Sequence, residues 1–380
     1  MTQPMNSTLT PSPRHSILVP EETWRRAEEY LASLRSGKEA PGKRLQDRIS
    51  STNLATMSIE SFFGELSETR KPQVFAESDV YGDGRDWTLI ELGLLGDVSV
   101  VVPVTIFDDG VHSRPSVHQT PFTGTLVYTP GALLRNGKGF EPADQARVVN
   151  ADGQLCDEGY YDLYECRLLP VFQYVNAQSS GDRPAFVTIP GLGCGQFAGA
   201  FEGTLGVRLE RVLQRFLEKH GASFPNIKAV YFDPYSECGN ARHEIHGISF
   251  FVRPFTRRTN GGKSQLCQPT DYEEASDDFS RCHLFSVVAW DHVSWPGNDF
   301  YLNCRCTDDG VKAAATNSME VLTGVAGSYD ESANKYLPSE PFIGRQWKEV
   351  VEKGQAERGL RLWDPAVLRR ATPGDSLGRV

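Results

Sequence analysis

No apolar stretch in this 380-residue chain approaches the ~18 consecutive residues that a membrane-spanning helix needs. The first thirty residues carry Ser, Thr and Pro but no apolar h-region or cleavage pattern, so the expectation is a cytoplasmic protein. Basic residues are short as well: 39 Lys and Arg stand against 49 Asp and Glu, a formal charge of −10 with a pI near 5.4. That balance argues against a general nucleic-acid binder, which needs a net basic footprint. It leaves room for one small anionic ligand held by backbone N–H groups. Only eight cysteines occur, none in a CxxC pair: Cys304-Arg-Cys306 is one residue short of it, and Cys282-His283 lies some twenty residues upstream. Reduced thiols are expected rather than a disulfide framework, and a zinc site is the weakest reading. The chain has no internal repeat.

What remains is ordinary for a packed core: 39% hydrophobic and 23% charged residues. The length allows one large domain with additions, or two domains. The division expected is a flexible arm with a helical extension over 1–55, an elaborated domain over 56–360 and a loose tail over 361–380. Residues 1–20 read as the arm. Trp24, Ala27, Tyr30, Leu31 and Leu34 then mark a helical stripe from Glu21 that ends at Gly37. The basic stretch 37–48 reads as a linker or surface segment. Trp87–Leu95 and Val98–Phe107 read as a β-hairpin around Gly96-Asp97, with Asp108-Asp109-Gly110 as the next turn. Gly124–Thr129 is a short strand stopped by Pro130-Gly131, and 136–157 a polar loop.

The centre of the chain is the most legible part. A short buried strand, Pro184–Ile189, runs into the Gly-rich loop Pro190–Phe201, and Leu205, Leu209, Val212, Leu213, Phe216 and Leu217 mark a helix stopping at Gly221. A second buried strand, Ile227–Phe232, follows. Strand, loop, helix and strand make a βαβ crossover, hence a parallel pair covered by helices. Beyond it, Ile248–Val252 and Leu284–Trp290 read as a further strand pair flanking a polar, mobile insertion at 253–278. A helix is expected from about Val311 to Gly324, and a last one over 345–353.

Gly191, Gly193, Gly195 and Gly199 permit positive φ and close approach of backbone to a ligand. Between a buried strand and a helix N-terminus, their N–H groups can cradle an anion. The loop is neither a Walker A motif nor a GxGxxG fingerprint. A tight turn that merely needs glycines is the alternative. Cys194 is read as a buried loop cysteine in preference to a nucleophile.

A second cluster is acidic. Asp291 follows an apolar strand, Asp299 follows Pro296-Gly297-Asn298, and Asp309 sits where a helix begins, in steps of eight and ten. Singly they read as a strand-end cap, a turn residue and a helix N-cap. Together they fall where strand ends converge at the C-terminal edge of an α/β sheet, the usual ligand side. Carboxylates there can hold ribose hydroxyls, stabilise an oxocarbenium-like centre and move a proton. Trp290 and Trp295 either wall an adenine or pack in the core.

The loop motif, Pro190, Leu192, Gly193, Gly195, Phe197 and Gly199 with Val230-Tyr231-Phe232 downstream, resembles the diphosphate-binding half of macrodomains. The Asn-Ala-Ala-Asn and triple-glycine elements of ordinary macrodomains are absent upstream of it. Trp290-Asp291, Pro296-Gly297-Asn298-Asp299, Asp308-Asp309-Gly310 and the Ala-rich helix start resemble the MavL-type macrodomains, (ADP-ribosyl)hydrolases that remove ADP-ribose from arginine, notably on ubiquitin. The resemblance implies a macrodomain-like three-layer α/β/α sandwich with a mixed central sheet, elaborated at the N-terminus. It implies ADP-ribose and an ADP-ribosylated protein, with ubiquitin as a candidate, as partners, without nucleic acid or membrane. It assigns Asp291, Asp299 and Asp309 to catalysis around the ribose, with Asp299 and Asp309 as the pair at the scissile bond. Ligand binding falls to Gly191, Leu192, Gly193, Cys194, Gly195, Gln196, Phe197, Gly199 and Asn298. The scheme needs neither metal nor cofactor. Open alternatives are a non-catalytic ADP-ribose-binding module, a phosphatase, a hydrolase of O-linked ADP-ribose, and a zinc enzyme built on the Cys and His set.

Overall fold

In the computed structural model, residues 15–75, 80–256, 262–365, 368–371 and 378–379 are described. The strands are β1 Ser16–Pro20, β2 Ser99–Asp108, β3 Val117–Pro130, β4 Ala185–Pro190, β5 Ile227–Asp233, β6 Ala241–Ile245, β7 Ile248–Val252, β8 His283–Trp290, β9 Gly327–Asp330, β10 Lys335–Pro338, β11 Leu368–Ala371 and β12 Gly378–Arg379. The α-helices are α1 Glu21–Ser36, α2 Lys43–Ile49, α3 Ile59–Ser67, α4 Leu89–Gly96, α5 Gln145–Val148, α6 Asp157–Gln178, α7 Leu205–His220, α8 Asp308–Ala315, α9 Ser318–Thr323 and α10 Trp347–Arg358.

Ten of these strands form one mixed sheet in the order β12-β11-β1-β2-β3-β8-β4-β5-β7-β6, while β9 and β10 form a separate antiparallel pair. The middle, β3-β8-β4-β5-β7, is parallel throughout, so five C-terminal strand ends share one edge. Alternation along β4 divides the core: Ala185, Val187 and Ile189 face helices α6 and α7, whereas Phe186 faces the opposite layer. That opposite layer is built by Ala313, Ala314, Ala315, Met319, Trp347 and Val351 from α8, α9 and α10. A third cluster joins α1 to α4 with Ile17, Val19, Val293 and Trp363. The result is the expected three-layer sandwich around a mixed sheet, with extra helices from the N-terminal part.

Several local expectations are overturned. Residues 16–20 are a strand inside the sheet, not part of an arm, because Ile17 and Val19 face the third cluster and Leu18 the first; residues 1–14 lie outside the described ones. The stretch 37–48 is no linker: it holds most of α2, which buries Leu45 and Ile49. Leu89–Gly96 is a helix, opened by a capping box between Thr88 and Glu91, so no hairpin forms at Gly96-Asp97. Its one charged residue, Glu91, is buried and its exposed position is Ile90, so the sequence shows no polar face and reads as a strand. The hairpin partner of β2 is β3, longer than expected. The loop 136–157 includes α5 and a buried Asp144. β7 and β8 are both strands but not neighbours. The insertion packs Leu266 and Tyr272 into the core, with 257–261 outside the described residues. The helix expected to run to Gly324 breaks at Thr316, whose hydroxyl donates to Lys312 O and accepts from Ser318 N. Within the tail the described residues are held: Trp363 is buried and β11 pairs in parallel with β1. The longest helix, α6, escaped notice although Tyr160, Leu163, Tyr164, Arg167, Leu168 and Val171 give it a helical period.

One buried ionic cluster ties the layers. Arg167, fully buried on α6, donates from Nε to Asp97 (3.0 Å), from Nη2 to Asp144 (2.7 Å) and from Nη1 to the carbonyl of Gly131 (2.8 Å). Asp97 also accepts from Arg26, Arg147 and Thr23. Burial opposes ionisation of both carboxylates, but the surrounding guanidiniums win and hold Asp97 and Asp144 below the usual carboxylate range. Removing one partner strands the others without solvent. Arg167→Met should therefore cost about 3–5 kcal/mol in urea unfolding. Because the folded-state values are depressed, the stability these carboxylates add is present above the ordinary carboxylate range and is lost as pH falls below it. Acid unfolding of Asp144→Asn should show less of that loss than the parent; an identical acid limb would remove Asp144 from the account.

Candidate functional site

The Gly-rich loop leaves β4 at Pro190 and does not enter an α-helix directly. A 3-10 turn, Gln196–Phe201, intervenes before α7 starts at Leu205, so the dipole of α7 does not open onto the loop as the sequence reading had it. Two of the glycines have packing reasons. A Cβ on Gly193 (φ 69°) would lie 2.7 Å from Ala132 N, and one on Gly199 (φ 57°) 2.5 Å from Leu134 O. The loop is also stitched to that neighbouring segment: Tyr164 Oη donates to Leu192 O and accepts from Ala132 N, and Leu134 N donates to Phe197 O. The side chain of Leu192 is in the core. Gly195 is different, because a Cβ there would meet nothing within 4 Å. It lines a cavity of about 450 Å³ together with Gly191 and Cys194. Gly195 is thus the glycine at which backbone lies open to a ligand.

Cys194 is 6% exposed, and burial pushes its thiol well above the usual range, so it is protonated and no nucleophile. Phe197 is half-buried and packs edge-on against Phe75, with ring centroids 5.3 Å apart. Gln196 is exposed.

The three aspartates do meet, just beyond the end of β8. Asp291 follows Trp290 and accepts from Val293 N (2.7 Å), Ser294 N (2.7 Å), the Ser294 hydroxyl and Asn298 Nδ2 (3.1 Å). Asn298 accepts in turn from Phe75 N (3.0 Å). Asp299 accepts from Cys306 N (2.6 Å) and from the backbone and hydroxyl of Thr307, the N-cap of α8. A Cβ on Gly310 would collide with this carboxylate, so the first turn of α8 closes around it. Asp309 accepts from Gly297 N (2.7 Å) on one oxygen, while its other oxygen, Oδ2, is buried without a hydrogen-bond partner. Burial, then the charges of Asp291 and Asp299, push Asp309 well above the usual carboxylate range. Burial raises Asp291 too, against its four donors. Arg70, fully buried, stacks over Trp290 at 4.7 Å, and its cationic charge is near enough to Asp291 to interact. Among the described residues no group of three or more His, Cys, Asp or Glu is placed to hold a metal ion.

Helix α8 separates two environments. Asp309 looks toward the carboxylates, whereas Asp308 and Lys312 line the cavity beside the Gly loop. Asp233, Gln265 and Phe255 line it too, and sequence reasoning missed all of them. Asp233-Pro234 ends a parallel strand, which is a usable signal. Gln265 lies in the polar insertion and has none.

A parallel-centred sandwich with a glycine loop and carboxylates converging at one sheet edge has the architecture of a macrodomain. The sequence model of the macrodomain effector MavL matches residues 15–342, and the chain belongs to that family. Membership implies an ADP-ribose site. No curated protein matches the chain. No helix is long and apolar enough to cross a membrane among the described residues.

The two kinds of glycine can be told apart. Gly199→Ala should lower stability by about 1–3 kcal/mol, because strain and a backbone clash coincide. Gly195→Ala should melt like the parent and bind ADP-ribose at least tenfold more weakly in calorimetry. A Gly195→Ala protein that binds normally would remove the open backbone from the site.

Proposed function

We propose that this protein hydrolyses the N-glycosidic bond between ADP-ribose and an arginine side chain of a modified protein, with ubiquitin as the favoured substrate and the cytoplasm as the place of action. The observation that carries the reading is the buried, unpartnered Oδ2 of Asp309, beside Asp291 and at the sheet edge that also bears the Gly loop. Burial and like charge favour its protonated form, which is what a general acid requires.

In this reading the diphosphate lies over Gly195 and the distal ribose reaches the carboxylates. The bond from the anomeric carbon to the guanidine nitrogen breaks as that nitrogen takes the Asp309 proton. Positive charge on the ribose is met by Asp291, which then accepts a proton from the water that bonds to the anomeric carbon. Asp299, which holds Cys306 N and the Thr307 cap and through them the first turn of α8, is assigned a positioning role. The strap of residues 71–75, bridged to Ser294 at Lys71 and to Asn298 at Phe75, lies against the segment that carries these carboxylates.

The test is release of ADP-ribose, followed by mass, from arginine-linked ADP-ribosyl-ubiquitin, with serine- and glutamate-linked substrates as controls. Release is expected from the arginine linkage alone and should fall more than about a hundredfold in Asp309→Asn. A raised pKa keeps the acid protonated above the ordinary carboxylate range, so kcat should fall only as pH rises through that raised value. Normal turnover by Asp309→Asn defeats the assignment. Micromolar ADP-ribose binding without release leaves a binding module.

A further inference from the structure

The cavity on the far side of the Gly loop from Phe197 has a polar floor with a fixed hydrogen-bonding sense. Lys312, 1% exposed, spends its three N–H donors on Val287 O (2.6 Å), Gln265 Oε1 (2.7 Å) and Asp308 Oδ2 (3.0 Å). Asp233 accepts from Tyr235 N (2.8 Å) and Phe255 N (2.9 Å) on one oxygen and from Gln265 Nε2 (3.3 Å) on the other. Gln265 is therefore held between a donor-only ammonium and a carboxylate. The ammonium fixes where the amide oxygen points and the carboxylate where the amide nitrogen points, so the amide cannot flip. Its main chain is fixed as well, since Gln265 O accepts from the Thr188 hydroxyl on β4 (3.2 Å).

A primary amide has two N–H donors and two acceptor lone pairs. One of each is occupied here, which leaves one donor and one acceptor on a half-buried side chain that lines the cavity. An adenine edge offers the complement, an amino donor next to a ring-nitrogen acceptor, and a glutamine pairs with it through two hydrogen bonds. Hypoxanthine and guanine present an acceptor oxygen at the position of the amino group, so they would need the amide turned over. Phe255 and Tyr235, the latter 58% exposed, supply apolar surface at the same cavity for the faces of a base.

The sheet order places this cavity consistently. The acid cluster follows β8, the Gly loop follows the next strand, β4, and Asp233 ends β5 beyond it. Neighbouring strands lie about 4.8 Å apart, so a diphosphate over β4 has a ribose toward β8 on one side and a nucleoside toward β5 on the other. We infer that Gln265, locked by Lys312 and Asp233, determines base specificity, selecting an adenine nucleotide over its hypoxanthine or guanine counterpart. This rests on the ADP-ribose reading of the site.

The test is calorimetric titration of the full chain with ADP-ribose and with inosine diphosphate ribose, which differ only at the base. The parent should prefer ADP-ribose by about tenfold to a hundredfold, the usual worth of a two-bond contact. Gln265→Ala should bring the ratio near one chiefly by weakening ADP-ribose. Gln265→Glu, with acceptors only, should shift the preference toward hypoxanthine, whose ring N–H is a donor. Equal affinities in the parent overturn the clamp and leave the ADP-ribose reading standing, and this comparison needs no variant to fold. An unchanged ratio in a Gln265→Ala protein with parental melting also overturns it. No binding of either nucleotide by the parent overturns both readings.

Discussion

The structure depends on a guanidinium that has no access to water. Arg167 projects from α6 into the junction between the sheet and the N-terminal helices, where Asp97 and Asp144 hold it. Each of these charges alone would be too costly to bury; together, with hydrogen bonds on most of their polar atoms, the cost is met by mutual attraction. The same guanidinium grips Gly131, and Asp144 also accepts from Leu133 N (2.8 Å), so the segment leaving β3 has one course open to it. That segment is the wall against which Gly193 and Gly199 pack. The shape of the Gly-rich loop is thus decided by an ionic cluster on the other side of that wall.

A similar economy governs the first turn of α8. Thr307 caps the helix, Asp299 buttresses the cap from below, Asp308 turns to the cavity and Asp309 to the carboxylates. Three consecutive side chains in one turn thus face three ways, and Gly310 must be glycine because any side chain there displaces Asp299 and with it the whole arrangement. His292 lies between the two systems, with Nε2 3.3 Å from Asp144 and its carbonyl accepting from Arg70. The ionic cluster and the acid cluster are therefore adjoining parts of one polar core.

The parallel centre of the sheet and the convergence of Asp291, Asp299 and Asp309 were legible because each rests on local pattern: short apolar strands, a glycine loop, and acids at strand ends. α4 was misread because its exposed position is the apolar Ile90, so it lacks the polar face that gives a helix its period, although Thr88 and Glu91 carried the capping signal. β1 and β11 were invisible for a different reason. Five and four residues make too short a pattern, and what makes them strands is each other and β2. Gln265 belongs to a third kind: its importance comes from Lys312 and Asp233, which lie far from it in the chain and are brought beside it only by the fold.

The parallel pairing of β1 with β11 has a consequence for how the protein is made. Ile17 aligns with Leu368, so the edge of the sheet joins residues separated by almost the whole described chain. On a ribosome β1 emerges roughly 350 residues ahead of β11 and waits without that partner until the intervening chain has been synthesised. Synthesis at roughly 5–20 residues per second makes this wait tens of seconds. Through that interval β1 presents an apolar edge, which makes it the segment on which a chaperone has most reason to act.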